Sequence, residues 1–183
     1  VDFAKQKILA DLLSKFVKES TRYSRTSRGK INTYSAFTEL TINLTSPIAK
    51  IGLIVPTSIA TDESNKLFVK YLIEENLLDK FYGFTNRGYL FAGTESTFSF
   101  ALITISKKQV LDKKIAGQLW EVAHIQDSGR VYCLTNDNIF RINPNTLTLP
   151  LFANSKNAEI ITEIYKNNPI LSLDECNKQE SGF

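Results

Sequence analysis

Residues 28–105 read RGKINTYSAFTELTINLTSPIAKIGLIVPTSIATDESNKLFVKYLIEENLLDKFYGFTNRGYLFAGTESTFSFALITI, and this stretch decides the fold. The segment Lys50–Val55, KIGLIV, is apolar on both faces and is closed by Pro56. An apolar run of this length is typical of a buried central strand in a parallel sheet. Thr61 and Asp62 follow and supply an N-cap for the next helix.

The segments after this strand predict an α/β sheet. Residues 62–78 carry one apolar stripe at helical spacing, and residues 80–84 and 97–105 have the composition of a short and a longer strand. Strand, helix and strand in succession form a βαβ-type unit. The sequence on either side is therefore interpreted around this unit.

Length and composition indicate one globular domain. The chain has 183 residues, of which 43% are hydrophobic, and a net charge of +3. It contains no signal-peptide pattern and no run of about 18 apolar residues, so neither secretion nor a membrane partner is expected. A single His and two distant cysteines, Cys133 and Cys176, argue against a zinc site and favour a reduced, cytoplasmic protein.

The charge is concentrated at the start of the chain. Residues 1–30 carry a net charge of +5, so the rest of the chain is slightly acidic. Residues 2–20 predict an amphipathic helix whose apolar stripe packs into a core, and residues 21–30, TRYSRTSRGK, predict a basic loop. Such a segment suits a phosphate backbone, although a solvated helix face followed by a flexible linker has the same composition.

Four segments carry a resemblance to a known family. They are GKINTYSAF at 29–37, GLIVPTSIATD at 52–62, FTNR with the later LF and FSF at 84–100, and INPNT with the later Pro and Phe at 142–152. In this order they resemble the adenine-specific DNA methyltransferases of the type II and type IIG restriction–modification kind. The resemblance covers most of residues 20–171.

The resemblance implies a fold and a division of the chain. The fold is the back half of a Rossmann-like class I methyltransferase sheet, an α/β sheet that ends in an antiparallel hairpin, followed by a small α+β extension. Residues 1–30 would be the amphipathic helix and basic loop, and residues 31–106 the C-terminal half of the methyltransferase domain. Residues 107–183 would lead towards target recognition, with strands at 119–125 and 130–134.

Two motifs of the family are missing. Its Gly-rich turn, which binds S-adenosylmethionine, and its Asn/Asp-Pro-Pro-aromatic tetrad, which catalyses, do not occur in this sequence. We therefore expect an internal piece of a larger protein, without catalytic, cofactor-binding or metal-binding residues of its own. The parent would transfer a methyl group from S-adenosylmethionine to the exocyclic amino group of adenine, while this piece alone would be inactive and would not bind the cofactor.

Phe91 is the residue that the resemblance implies as the target-base contact. The family has at this position an aromatic ring that stacks on the adenine after it leaves the duplex. An enzyme that acts on a base must extrude it and replace its lost stacking. The alternative is that Phe91 anchors its own loop by packing beneath it.

Two further groups of residues are predicted near double-stranded DNA. The predicted DNA contacts are Arg25, Arg28, Lys30, Asn86 and Arg87. The predicted cleft edge comprises Asn32, Tyr34 and Pro56, because ligands of such sheets collect beyond the carboxyl ends of the strands. The alternatives are a cap for Asn32, a core ring for Tyr34 and an ion pair with Glu95 for Arg87, while His124 is predicted to be structural.

A second function class shares these sequence features. A DNA-binding or specificity module without methyltransferase chemistry would share the basic loop and the polar loop at 85–96. The Gly-rich turn and the tetrad, present or absent upstream in the parent gene, distinguish the two. A purely structural α/β piece would show no salt-dependent DNA binding.

Overall fold

A computed structural model describes residues 2–29 and 31–168. The strands are β1 Lys50–Pro56, β2 Leu78–Thr85, β3 Ser99–Ser106, β4 Lys113–Leu119 and β5 Tyr132–Leu134. The helices are α1 Phe3–Glu19, α2 Thr33–Leu44, α3 Ser58–Thr61, α4 Lys66–Glu74, α5 Asn136–Ile142 and α6 Ser155–Asn167. Short 3₁₀ turns lie at Thr21–Tyr23, Glu63–Asn65, Asn86–Gly88 and Val122–Gln126.

The strands form one sheet in the order β1-β3-β2-β4-β5. β3 lies between β1 and β2 and runs antiparallel to both, so β1 and β2 point the same way. β4 pairs with β2 in parallel, and β5 closes the far edge antiparallel to β4. The predicted α/β fold and its terminal hairpin of β2 and β3 are confirmed, and the sheet is mostly antiparallel.

The main core lies on one face of the sheet. Helix α4 places Phe68, Leu72 and Ile73 against Phe81 of β2 and Ile103 of β3, all of them almost fully buried. The opposite face carries a smaller cluster in which Phe84, Phe100, Ala116 and Leu119 are buried. Alternation along each strand sends successive side chains to these two faces.

The prediction that β1 is a buried central strand is wrong for the described residues. Ile51 and Val55 are buried, but Gly52 and Ile54 are exposed, Ile54 by 59%. β3 is the only strand that pairs with β1 within the described part of the chain. The apolar pattern on both faces therefore belongs to an edge strand with one uncovered face.

The first helix forms as predicted, but its packing differs from the prediction. Asp2 caps α1 by accepting a hydrogen bond from the Ala4 N–H at 3.1 Å. No residue of α1 is buried, and most of its apolar stripe is more than half exposed, namely Phe3, Ile8, Leu9, Leu12, Leu13 and Phe16. Within the described residues the stripe contacts little besides the Tyr23 ring, whose centroid lies 6.4 Å from that of Phe16.

The predicted helix over 62–78 is divided and ends earlier. The Asp62 carboxylate accepts from the Ser64 N–H at 2.8 Å and begins the 3₁₀ turn that precedes α4. These hydrogen bonds from Ser64 lower the pKa of Asp62 below its ordinary value. Asn76, with φ 55°, then stops the helix, so that β2 begins at Leu78.

The extension differs most from the sequence prediction. Strand β4 begins at Lys113, in a segment for which no element was predicted. The strand predicted at 119–125 is wrong, because the chain leaves the sheet after Leu119 and forms a 3₁₀ turn at Val122–Gln126. Lys113 is buried because its Nζ donates to Asn76 Oδ1 at 3.2 Å and to the Val110 carbonyl at 3.4 Å. Burial lowers the pKa of this ammonium.

Two helices follow in the extension. Helix α5 was not predicted, because its capping box uses Asn138 where Glu or Gln is the usual signal. Asn154 caps α6 by accepting from the Asn157 N–H at 2.8 Å. Pro169 and the tail that follows it lie outside the described residues.

Candidate functional site

Three strands end at the same edge of the sheet. The carboxyl ends of β1, β2 and β4 lie there because these strands share one direction, and β3 begins at this edge. The Thr57 N–H donates to the Ser99 carbonyl at 3.4 Å and joins the exit of β1 to the entry of β3. We call this the carboxyl edge, and the segment between β2 and β3, residues 86–98, the aromatic loop.

The aromatic loop is organised around the side chain of Asn86. Asn86 is fully buried, and its Oδ1 accepts from the Phe91 N–H at 2.9 Å. Its Nδ2 donates to the carbonyls of Phe91 and Thr94, both at 3.0 Å, and of Glu95 at 3.4 Å. Asn86 was predicted to contact DNA, but its amide is buried and its polar atoms make hydrogen bonds inside the loop.

Phe91 presents a partly open ring at this edge. Its side chain is 40% exposed, and its ring meets Phe100 edge-to-face with centroids 4.9 Å apart. Phe100 in turn stacks on Phe84 at 5.3 Å with nearly parallel planes. The Phe91 ring is therefore supported on one side by a buried pair, while part of its surface faces outward.

Close packing fixes the start of the aromatic loop. A Cβ on Gly88 would lie 2.1 Å from the Trp120 carbonyl oxygen at the end of β4, so only glycine fits this position. Tyr89 follows in the left-handed region with φ 50° and is largely exposed. Arg87 is also exposed, on the surface of the same turn.

The predicted cleft-edge residues are brought partly together. The Tyr34 hydroxyl lies 2.7 Å from Ser58 Oγ, two residues after Pro56, so both predicted residues reach the carboxyl edge. The Ser58 carbonyl accepts from Asn65 Nδ2 at 2.9 Å, which fixes this turn from the other side. Asn32 occupies the N-cap position of α2 without a side-chain capping bond.

The basic loop is held by a buried carboxylate that the sequence analysis missed. Glu39 of α2 is 1% exposed and accepts from the backbone N–H groups of Arg25 and Thr26 and from the Thr26 hydroxyl at 2.8 Å. The Arg25 guanidinium bonds Glu39 at 3.2 Å and lies 3.8 Å from the centre of the Tyr71 ring. A lone acid at a buried helix position is the signal that could have identified Glu39.

The other predicted basic residues differ in placement. Arg28 is exposed and lines a pocket of about 260 Å³ beside the turn that follows α3, together with Gly29, Glu63, Ser64, Lys66 and Leu67. Arg25 has its guanidinium engaged by Glu39 and Tyr71, so it is less free than Arg28. Lys30 lies outside the described residues.

The described residues provide neither a metal centre nor a membrane span. Within 2–29 and 31–168, no three His, Cys, Asp or Glu side chains are grouped so that they could hold a metal ion. No helix in this part of the chain is long and apolar enough to cross a bilayer. His124 packs on Trp120 with ring centroids 4.5 Å apart, in a structural setting.

The fold is similar to parts of two solved proteins from restriction–modification systems. It is similar to the type I restriction–modification methyltransferase subunit from Streptococcus thermophilus, with a TM-score of 0.54, 14% identity, and coverage of 76% of this chain and 35% of that one. It is also similar to the type IIG restriction endonuclease BpuSI, with a TM-score of 0.51, 16% identity, and coverage of 81% of this chain and 18% of that one. The chain thus spans about a third or less of these proteins.

A family model matches the first half of the described chain. Residues 5–91 match the family model of the Eco57I restriction-modification methylase, and no curated protein matches the chain. The resemblance to restriction–modification methyltransferases stated from the sequence motifs is therefore confirmed, and the family model matches it over residues 5–91. The matched residues run from α1 to Phe91 in the aromatic loop.

Proposed function

We propose that this chain is part of an enzyme that methylates the exocyclic amino group of adenine in double-stranded DNA. The observation that carries the proposal is the partly open Phe91 ring, supported edge-to-face by Phe100 at the carboxyl edge. Ligands of α/β sheets bind beyond this edge. The family match, which extends to Phe91, supports the assignment to DNA modification.

Phe91 would act by stacking on the target base. An enzyme reaches the amino group of adenine only after the base has left the duplex, which removes the base from its stacked neighbours. An aromatic ring that replaces one neighbour contributes about 1–3 kcal/mol. Because Phe100 and Phe84 support the ring from behind, the stacking surface would be in place before DNA arrives.

Basic side chains would position the DNA backbone. Arg28 beside the carboxyl-edge turn, Arg87 in the aromatic loop, and Lys30 are the proposed phosphate contacts. Arg25 would contribute indirectly, since its pairing with Glu39 holds the basic loop in place. Contacts of this kind orient the protein on the duplex without reading sequence.

The parts of the enzyme that bind the cofactor would lie in the remainder of the parent chain. At the carboxyl edge Asn86 fills the turn after β2 with its own hydrogen bonds and Ser58 closes the turn after β1, which supports a cofactor site elsewhere in the parent. S-adenosylmethionine would supply the methyl group there. Within the described residues the stripe of α1 is uncovered and the outer edge of β1 is unpaired, and that remainder would pack on these surfaces.

The proposal includes a division of labour along the chain and a location. Residues 31–106 would form the methyltransferase half, and residues 107–183 would lead towards target recognition, with β4 and β5 extending the same sheet. The exposed free thiol of Cys133 suits a reducing cytoplasm.

The test uses the full-length protein that contains this chain. It is incubated with S-adenosylmethionine carrying a labelled methyl group and with unmethylated duplex DNA, and the digested nucleosides are separated. Label on adenine is expected, and Phe91→Ala is expected to reduce the single-turnover rate about 5- to 150-fold, the range that corresponds to one lost stacking contact.

Phe98→Ala supplies a matched control. Phe98 lies in the same loop and is 46% exposed, against 40% for Phe91, and it is expected to change the rate little. If both variants lose the same fraction of the single-turnover rate, Phe91 serves to pack within its own loop and does not stack on the base. Salt-dependent DNA binding without any label would favour a non-catalytic DNA-binding or specificity module.

A further inference from the structure

Asn86 joins the end of β2 to Phe91, the residue of the aromatic loop to which the proposed function assigns base stacking. Its Oδ1 accepts from the Phe91 N–H at 2.9 Å, while its Nδ2 donates to the Phe91 carbonyl at 3.0 Å. The amide therefore pairs with both backbone polar groups of Phe91, as a neighbouring strand would. The same Nδ2 also reaches the carbonyls of Thr94 and Glu95, so it ties both sides of the loop to one point.

Asn86 is itself held in place by backbone hydrogen bonds and by burial. The Asn86 N–H donates to the Phe98 carbonyl at 2.9 Å, and the Asn86 carbonyl accepts from the Tyr89 N–H at 2.9 Å. Its side chain is completely buried, so water does not compete for the four hydrogen bonds that it makes. A buried amide with this many partners has one orientation, because any rotation would leave polar groups unpaired.

The backbone and the ring of Phe91 are fixed by different neighbours. Asn86 holds the backbone, and Phe100 supports the ring edge-to-face at 4.9 Å. Without Asn86 the ring would keep its neighbour, but the chain that carries it would be free to shift. A misplacement of about 1 Å at a reacting group is enough to cost about a hundredfold in rate.

We infer that Asn86 is a positioning residue that holds Phe91 in the orientation required for stacking on the extruded base. This inference rests on the proposed function, since it assigns Asn86 a role only through Phe91. Asn86 would not touch the base or the phosphates. It would instead fix the position of the Phe91 ring before DNA binds.

A double-mutant cycle tests this inference in the full-length protein. Single-turnover methylation rates and DNA dissociation constants are measured for the wild type, Asn86→Ala, Phe91→Ala and the double variant. If Asn86 acts through Phe91, Asn86→Ala slows methylation about 5- to 100-fold in the wild-type background and less than about twofold in the Phe91→Ala background. The dissociation constant should change less than the rate in both.

Asn86→Asp provides a second variant of nearly the same shape. It keeps the acceptor for the Phe91 N–H but loses the donor to three carbonyls, and the same non-additivity is expected. Equal slowing in both backgrounds would overturn the inference, because a general structural role does not depend on Phe91. Loss of folding in both Asn86 variants, seen by circular dichroism, would likewise assign Asn86 to structure alone.

Failure of the proposed function gives a different pattern. If the wild type does not label adenine, or if Phe91→Ala is as fast as wild type, the stacking role fails and the inference fails with it. If adenine is labelled and Phe91→Ala is slow but Asn86→Ala is additive, only the inference about Asn86 fails.

Discussion

At the scale of single residues, Glu39 shows how one buried charge can order a polar loop. Its carboxylate, 1% exposed, receives hydrogen bonds from two backbone N–H groups, one hydroxyl and one guanidinium of the basic loop. A buried carboxylate is tolerated only when its lone pairs are satisfied in this way. The loop of residues 21–29 is consequently attached to α2 at a defined position.

Glu39→Gln is expected to lower the free energy of unfolding by about 2–4 kcal/mol. The amide keeps the shape of the side chain but replaces one accepting oxygen with a donor that faces N–H groups. Urea unfolding measures the loss, and trypsin should cut faster after Arg22 and Arg28 as the loop is released.

The control for this prediction is Glu63→Gln. Glu63 pairs with Lys66 at 3.0 Å on the surface, with 63% of its side chain exposed. Its loss is expected to change stability by less than about 1 kcal/mol. Equal effects of the two substitutions would contradict the clamping role of Glu39.

At the scale of elements, the aromatic loop is fixed at its start by contact with a neighbouring strand. Gly88 approaches the Trp120 backbone so closely that an added Cβ would lie 2.1 Å from the carbonyl oxygen. Gly93, in the same loop, has φ 76° and nothing within 4 Å of such an atom. The two glycines are therefore required for different reasons, one for space and the other for backbone conformation.

Gly88→Ala is expected to displace the loop and slow methylation by the full-length protein at least tenfold, because the clash involves backbone that cannot rotate away. Gly93→Ala should cost about 1 kcal/mol of stability through its left-handed backbone and affect the rate much less. Single-turnover rates and thermal unfolding of both variants compare the two effects. A faster reaction in Gly88→Ala than in Gly93→Ala would contradict the close-approach interpretation.

At the scale of the whole molecule, the extension is joined to the sheet through Tyr132 of β5. The Tyr132 hydroxyl accepts from the Phe152 N–H at 2.7 Å, and its ring belongs to the main core. Burial raises the pKa of Tyr132 well above its ordinary value. The folded protein therefore keeps this hydroxyl protonated at a pH where the unfolded chain ionises it.

The raised pKa of Tyr132 makes the folded protein less stable as the pH rises above the ordinary pKa of tyrosine. The contribution of protonated Tyr132 is fully present below about pH 10, the ordinary pKa of tyrosine, and is lost as the pH rises further. Tyr132→Phe should cost about 1–2 kcal/mol at pH 8, because the Phe152 N–H loses its partner. Between pH 10 and 11 the difference from wild type should narrow, since only the wild type carries this ionisation.

Urea unfolding at pH 8 and pH 11 measures the change. Tyr89→Phe, which removes a hydroxyl from a 72% exposed side chain, is the control for loss of a surface hydroxyl. A Tyr132→Phe difference that stays constant up to pH 11 would contradict the prediction.

The sequence alone determined the elements around β1, α4, β2 and β3, because strong local periodicity and a capping aspartate specify them. It also determined the family resemblance, since the motif residues stand in order along the chain. The sequence did not predict β4, because Lys113 has the composition of a surface residue but is buried against Asn76 and Val110. It failed at α5 because the capping box there uses an unusual residue.

Only the tertiary structure decided which of the predicted residues face outward at the carboxyl edge. Asn86 and Arg87 are neighbours in sequence and equally polar, yet one is fully buried and the other exposed. The same holds for the apolar stripe of α1, which has a core pattern but no core to join within the described residues. Periodicity reports which face of an element is apolar, whereas burial depends on partners that come from distant parts of the chain.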